Sequence, residues 1–431
     1  MAAQAHWMIR SILALSAVCS AGSVLGANTL LLCGRVIDGV SDQVRTEMTL
    51  VVSSNRIVSV EAGYKPGSAG DRVIDLKNRT VLPGLFDMHV HLQLRPAPSA
   101  YGDKAMLNPE DLAYRAVAHA RTTLLAGFTS VRDLGGEQVV GLKKAINEGI
   151  LEGPRIIAAG RAIAITGGHA DQSNGLNREL AGDPGPDKGV VNGADDARKA
   201  VRQRYKEGSD CIKVTATGGV LSLAKDGFRP QFTSDELVAV VQMAKDLGMP
   251  TAAHAHGAEG MKRAVLAGIG SIEHGTMMTE EIMGLMKERG TYYVPTLSAG
   301  KYTEEKARVP GFYHPMVAKK ALAISPFMTE TFRKANRLGV RIAFGTDAGV
   351  FPHGDNAKEF QYLVEGGMSP MKAIQSATIE AAKLGEVEKE LGSLEAGKLA
   401  DIIAVDGNPL EDIKTLQRVG FVMKDGAVVR R

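Results

Sequence analysis

The chain has 431 residues, 44 % hydrophobic and 23 % charged, with a formal net charge of +3. That length leaves room for one large domain and a smaller one, because single cores stop growing at roughly 250 to 300 residues. The near-balanced charge, the lack of a Lys/Arg block and an aromatic content of 5 % exclude a stacking nucleic-acid groove, and three cysteines, Cys19, Cys33 and Cys211, can form neither a disulfide framework nor a metal finger.

Behind Arg10 runs SILALSAVCSAGSVLGA, an uncharged stretch of small and apolar residues ending in small ones. It has the layout of a secretory signal of about residues 1–27, so export to a periplasm or the exterior is expected, with no stable membrane association after cleavage. A retained anchor fits less well, since the stretch is rich in Ser and Gly and short for a span.

Next come TLLLCGRVIDGV, EMTLVVSSNRIVSVEAG and DRVIDLKNRTVLPG, β-branched and roughly alternating, split by Gly, Asn and Asp. They predict short strands joined by tight turns. From Pro83 an apolar strand alternates with an amphipathic helix eight times. The strand candidates are GLFDMHVHL, FTSVRDLGG, PRIIAAG, CIKVTATGG, PTAAHAHG, SIEHGT, TYYVPTLS and RIAFGTDAG. Helical segments such as TSDELVAVVQMAKDLG open on a Ser/Asp cap and stop at Gly. Strands separated by helices pair in parallel through crossovers, so the fold class is α/β and residues 83–386 are expected to close into a (β/α)8 TIM barrel. Residues 166–189 are too rich in Gly, Asn and Asp for a core element and predict a long functional loop. At the end, LGSLEAGKLADIIAVDGNPL and VGFVMKDGAVV return to strand and turn. They are expected to rejoin the first strands in a small β-sandwich domain of residues 28–82 and 387–431.

Active sites on such barrels lie at the carboxyl ends of the strands. There the sequence places His89 and His91, then Lys213, His254 and His256, His274, and Asp347. In a strand, residues i and i+2 share a face, so His89 points with His91 and His254 with His256. Imidazole and carboxylate suit divalent ions, but four histidines and one aspartate are too few to fill two coordination shells. Lys213 supplies the missing group: buried in an apolar barrel mouth its amine is expected to turn neutral and to take up carbon dioxide as a carbamate, whose two oxygens can each hold a metal. Alone, each residue has a plainer reading as a core, cap or solvated side chain. In this order on these strands, they read together as one site.

GLFDMHVHL, CIKV, HAHG, SIEHGT and FGTDAG, with the tail SATIEAAKLG and LGSLEAGKLADIIAVDGNPL, resemble the amidohydrolase superfamily from about residue 50 to the end. Within it the chain is similar to the branch of binuclear peptidases that holds Xaa-Pro dipeptidases, carboxypeptidases acting on N-acyl or peptidyl amino acids, and ochratoxinase. The resemblance implies two divalent metal ions, foremost Zn2+, one on His89, His91 and Asp347, the other on His254 and His274. Carboxylated Lys213 and a hydroxide would bridge them, and His256 is left for substrate. The implied reaction is hydrolysis of an amide next to a free carboxylate, as on N-acyl amino acids such as ochratoxin A. Asp347 would take the proton of the attacking water and pass it to the departing amine, while His256 helps stabilise the oxyanion. The leading substrate contacts are Arg95, His169 and His256, with Tyr293 and His353 as weaker candidates. Homo-oligomers, up to octamers, are implied by the resemblance alone. The enzymatic rival keeps these metals for a lactone, a phosphotriester or a cyclic amide such as an imidazolone; a non-catalytic relative would lack ligands that are all present here.

Overall fold

The computed structural model describes residues 27–98 and 100–431, so the expected signal segment lies outside the described residues except for its last position. Four strands open the chain: β1 (Thr29–Val36), β2 (Arg45–Ser53), β3 (Arg56–Ala62) and β4 (Arg72–Pro83). Then come β5 (Leu85–Val90), β6 (Phe128–Asp133), β7 (Arg155–Ala158), and the two short strands β8 (Ala164–Ile165) and β9 (Val190–Val191). The series continues with β10 (Ile212–Thr215), β11 (Thr251–Ala255), β12 (Ser271–His274) and β13 (Tyr292–Val294). It ends with β14 (Ile402–Asp406), β15 (Val419–Lys424) and β16 (Ala427–Arg430).

Strands from both chain ends form one seven-stranded sheet in the order β16-β15-β14-β4-β1-β2-β3. β4 is the seam, parallel to β1 on one side and antiparallel to β14 on the other, with Leu82 opposite Ile403. The first and last strands thus join in one small β domain through a continuous hydrogen-bonded sheet, because β14 docks directly onto β4. Its apolar cluster draws Leu31, Leu50 and Leu76 from the first strands and Ile402, Phe421 and Met423 from the last.

β5, β6 and β7 pair in parallel, as do β10, β11, β12 and β13. Ile163, just past β7, bridges Val214 of β10; Tyr293 of β13 bridges Ile342, and Ala348 bridges Val90 of β5. The parallel pairings thus run from β5 round to residues 342–348 and back to β5. Helices stand between successive strands, as Ser234–Asp246 does between β10 and β11. That helix is capped by Thr233, one residue before the expected Ser, in a reciprocal capping box with Glu236. No helix among the described residues is long and apolar enough to cross a membrane.

RIAFGTDAG departs from the expected strand. It forms only the two bridges at Ile342 and Ala348. Its ladder is broken because Phe344 N–H donates to Ser376 O and Thr346 N–H to the Asp87 carboxylate, while Asp347 takes a left-handed φ of 62°. Residues 166–189 are a loop holding a short helix (Arg178–Ala181) and a 3-10 turn (Pro186–Lys188), its ends tied by the β8–β9 pair.

Candidate metal centre and active-site cavity

Strands β5, β10, β11 and β12 and the bent segment of residues 342–348 bring the six expected residues to one floor. His89 and Asp347 come within 3.5 Å, and His91 and Asp347 within 3.2 Å, both through the histidine Nε2 and Asp347 Oδ1. His89, His274 and Asp347 each offer a ligand atom, all within 4.8 Å of one another. The His254 ring centre lies 4.7 Å from that of His274, and His256 stacks on His274 at 5.1 Å. Lys213 rises from β10 into the same cavity.

The outward nitrogens decide which atoms face inward. His91 Nδ1 meets Gly135 O at 3.2 Å and His254 Nε2 meets Gly218 O at 3.1 Å. A carbonyl only accepts, so both nitrogens donate, and in the neutral rings the lone pairs are then on His91 Nε2 and His254 Nδ1. His89 Nδ1 is held by Glu273 at 2.8 Å and His274 Nδ1 by Thr296 Oγ1 at 2.7 Å. Such outer partners orient metal-binding imidazoles.

Burial, reinforced by neighbouring cations and rings, drives His89, His254 and His274 well below the ordinary imidazole range. Burial and the Lys320 ammonium bring His256 down to about 3. All four are neutral at pH 7, the form that binds metals. Burial also lowers Lys213 to about 8, with Glu273 and Asp347 pulling the other way, so its neutral amine is accessible.

The site tests well against a cation. Asp347 Oδ1 is buried and accepts no hydrogen bond among the described residues. It faces His91 Nε2 at 3.2 Å, and Asp347 holds that imidazole above its ordinary range against burial. A cation would satisfy the carboxylate oxygen in place of that proton, and a carboxylate, imidazoles and a neutral amine are a donor set that holds one.

The centre lies at the bottom of a cavity of about 570 Å3. His169 lines it and stacks on His254 at 4.3 Å. Arg95 lies at the mouth, 46 % exposed and paired with Asp103. His256 lines the floor, its Nδ1 2.7 Å from Thr276 Oγ1. Tyr293 is corrected as a substrate contact: fully buried, it donates its hydroxyl to His274 O at 3.1 Å and supports that residue from behind. His353 does not face the mouth either. It stacks on His119 at 4.3 Å, with Nε2 3.2 Å from His91 O, on the far side of the His91 backbone.

Three buried acids were missed, although two of them, Asp87 and Glu273, stand out as charges inside apolar strand runs. Glu273, 0 % exposed, joins His89 to Arg132, whose Nη2 is 2.9 Å away. Asp87, raised to about 7 by burial against its hydrogen bonds, accepts from Thr346 and Asn356 and ties β5 to the segment of Asp347. Glu359 caps the helix Leu297–Ala307 by accepting from the Leu297 and Ser298 N–H groups.

The sequence profile of the amidohydrolase family matches residues 80–429. An ochratoxinase of Aspergillus niger is 34 % identical over 424 residues, covering 93 % of this chain and 86 % of its own. A solved Xaa-Pro dipeptidase with methionine bound in its active site superposes at a TM-score of 0.90, with 52 % identity, over 94 % of this chain and all of its own. A prolidase complexed with N-methylphosphonate-L-proline gives 0.85 and 30 % identity, with coverage of 94 % and 100 %.

Proposed function

The chain belongs to the amidohydrolase family and is a hydrolase of amide or peptide C–N bonds; from that premise we propose that it uses two divalent cations to cut the amide beside a free carboxylate and release an apolar amino acid. One observation carries the reading: neutral imidazoles, an unpartnered carboxylate oxygen and an amine of lowered pKa converge on one cavity floor. We read the ring of parallel pairings around that floor as a closed (β/α)8 barrel. His89, His91 and Asp347 would hold one ion, His254 and His274 the other. Lys213 would bridge them as a carbamate, its neutral amine forming an N–C bond to carbon dioxide with loss of a proton.

Bound cations, foremost Zn2+, would supply Lewis acidity, acidifying water near neutral pH and polarising the scissile carbonyl. Asp347, through the carboxylate oxygen left free by the cation, then accepts the proton of the attacking water. The same carboxyl returns that proton to the departing amine nitrogen, without which an amide does not break. With Thr276 Oγ1 donating to His256 Nδ1, the His256 Nε2–H donates to the developing oxyanion.

Charges in the cavity support an apolar leaving group. Its lining acids are Asp103, Glu137 and Asp347. Arg95 and Arg115 hold Asp103, Arg161 holds Glu137, and Asp347 belongs to the metal set. A lysine or arginine side chain entering here would lose water with no uncommitted carboxylate to meet. Leu107, Leu112, Val220, Ile324, Met328 and Val350 offer apolar wall instead, and Lys188 adds to the arginines that attract an anionic substrate. The methionine and the proline phosphonate in the two relatives agree with this preference.

A panel of dipeptides and N-acyl amino acids tests it, with and without a chelator. Methionine, leucine, phenylalanine and proline derivatives are expected to exceed lysine and arginine ones by about 100-fold in kcat/KM, with all turnover abolished by chelation. Turnover that survives metal removal, or none on any member, would end the proposal. Export after loss of about residues 1–27 and assembly as a homo-oligomer complete it, checked by N-terminal sequencing of the native protein and light scattering.

A further inference from the structure

Residues 216–232, between β10 and the helix Ser234–Asp246, form the surface against which three site histidines rest. Gly218 O accepts from His254 Nε2, and Thr217 Oγ1 accepts from His256 N–H at 3.0 Å. Gly219 lies under His169 so closely that a Cβ there would come within 2.3 Å of the ring. This loop has little regular structure, only a bridge between Thr217 and Pro230. Its ends are pinned by Gly218 N–H on Arg229 O and Gln231 N–H on Ala216 O, and its middle is tied from outside. Lys320, on the helix Pro315–Arg337, is 7 % exposed and sends Nζ to Gly219 O at 2.8 Å, Ser222 O at 2.7 Å and Ala224 O at 3.1 Å.

We propose that Lys320 is a positioning residue for the metal centre, its ammonium gathering three carbonyls of the β10 loop so that Gly218 and Gly219 hold His254 and His169 in register. An ammonium has three N–H groups and no acceptor, so three converging carbonyls satisfy it fully. Burial of a cation is costly without such partners. Burial lowers its pKa to about 8, with Asp226 opposing, which leaves it charged at pH 7. The chain of contact runs from Lys320 to the loop backbone, to the Gly218 carbonyl, to the donor nitrogen left on His254. One turn farther along the same helix, Ile324 lines the cavity and packs near Gly227 of the loop, so the helix covers the substrate and braces the loop at once.

The inference rests on the reading of His254 as a metal donor, and its test separates the two. Full-length holoenzyme is compared with Lys320→Met, which keeps the chain length and removes the ammonium, and with Lys320→Ala with and without added propylammonium. In Lys320→Met, backbone amides of residues 217–224 are expected to exchange at least about 10-fold faster while those of β11 keep their rate. The weaker of two divalent-ion affinities falls about 10- to 100-fold, kcat falls by more than KM rises, and propylammonium restores Lys320→Ala in part. Wild-type metal affinity and kcat in Lys320→Met would overturn the proposal, as would faster exchange spread evenly over the molecule. A wild-type protein that binds no metal would end the reading of His254 instead, and the exchange comparison would still decide whether Lys320 orders the loop.

Discussion

Lys213 has two incompatible readings in isolation, a solvated surface cation or a buried amine, and burial decides for the second, at 4 % exposure. With the neutral form accessible near pH 8, carbamate formation is chemically open to it. Lys213→Ala is expected to lose bound divalent metal and more than about 100-fold in kcat, read by metal analysis and by loss of a carbamate carbon signal after labelling with 13C-bicarbonate. The Arg132–Glu273 pair behaves differently. Both side chains are buried and hydrogen-bonded to each other, with Glu273 also on His89. Removing one partner strands the other charge, so Arg132→Met is expected to cost about 3–5 kcal/mol in denaturant unfolding. His169 lies outside the donor-bearing strands, stacked on His254; His169→Ala is expected to lower turnover while metal content, measured on the same sample, stays unchanged. Of these residues, His169 and Lys213 were legible in the sequence. Glu273 was printed in SIEHGT but overshadowed by the histidine beside it, because only the fold shows that its carboxylate meets an arginine 141 positions away.

Among elements, the helix Leu297–Ala307 shows how a site histidine is aimed from a distance. Thr296 stands at its start with φ 52°, a left-handed value unusual outside glycine, and from there Oγ1 reaches His274 Nδ1. Glu359 secures the turn by accepting from the next two N–H groups. Burial raises the Glu359 carboxyl to about 8, against those hydrogen bonds and helped by Asp87. Its folded pKa thus lies above its unfolded value. The stability it contributes is present in full below about pH 4.5 and is lost progressively as pH rises to about 8. Glu359→Gln does not titrate, so the melting temperature of the variant minus that of the wild type is expected to climb between pH 5 and 8 and to level off above. A flat difference in calorimetry would show that the carboxyl is already ionised in the folded protein at low pH. No feature of TYYVPTLS announces this arrangement, since threonine at a strand end normally reads as extended.

For the whole molecule, the first and last strands meet through β4, and the parallel strands meet at the cavity floor. If cations bind only the folded chain, at 100 times their dissociation constant they add about 2.7 kcal/mol to its stability. Stripping them should lower the melting temperature of the wild type and leave Lys213→Ala nearly unmoved, which scanning calorimetry with and without chelator checks. By itself the sequence determined the alternation of strand and helix, the positions of the donors at strand ends and the strand character of both termini. These are local: each rests on side-chain period, capping and turn residues within a few positions. Only the tertiary structure decided that the end strands make one sheet, that the eighth segment is bent by Asp87 and Ser376, that His353 and Tyr293 stand behind His91 and His274, and that Lys320 meets three carbonyls of the loop under His254. Those are contacts between groups far apart along the chain. A buried charge must find its partner wherever the fold brings one, and periodicity carries no information about which residue that will be.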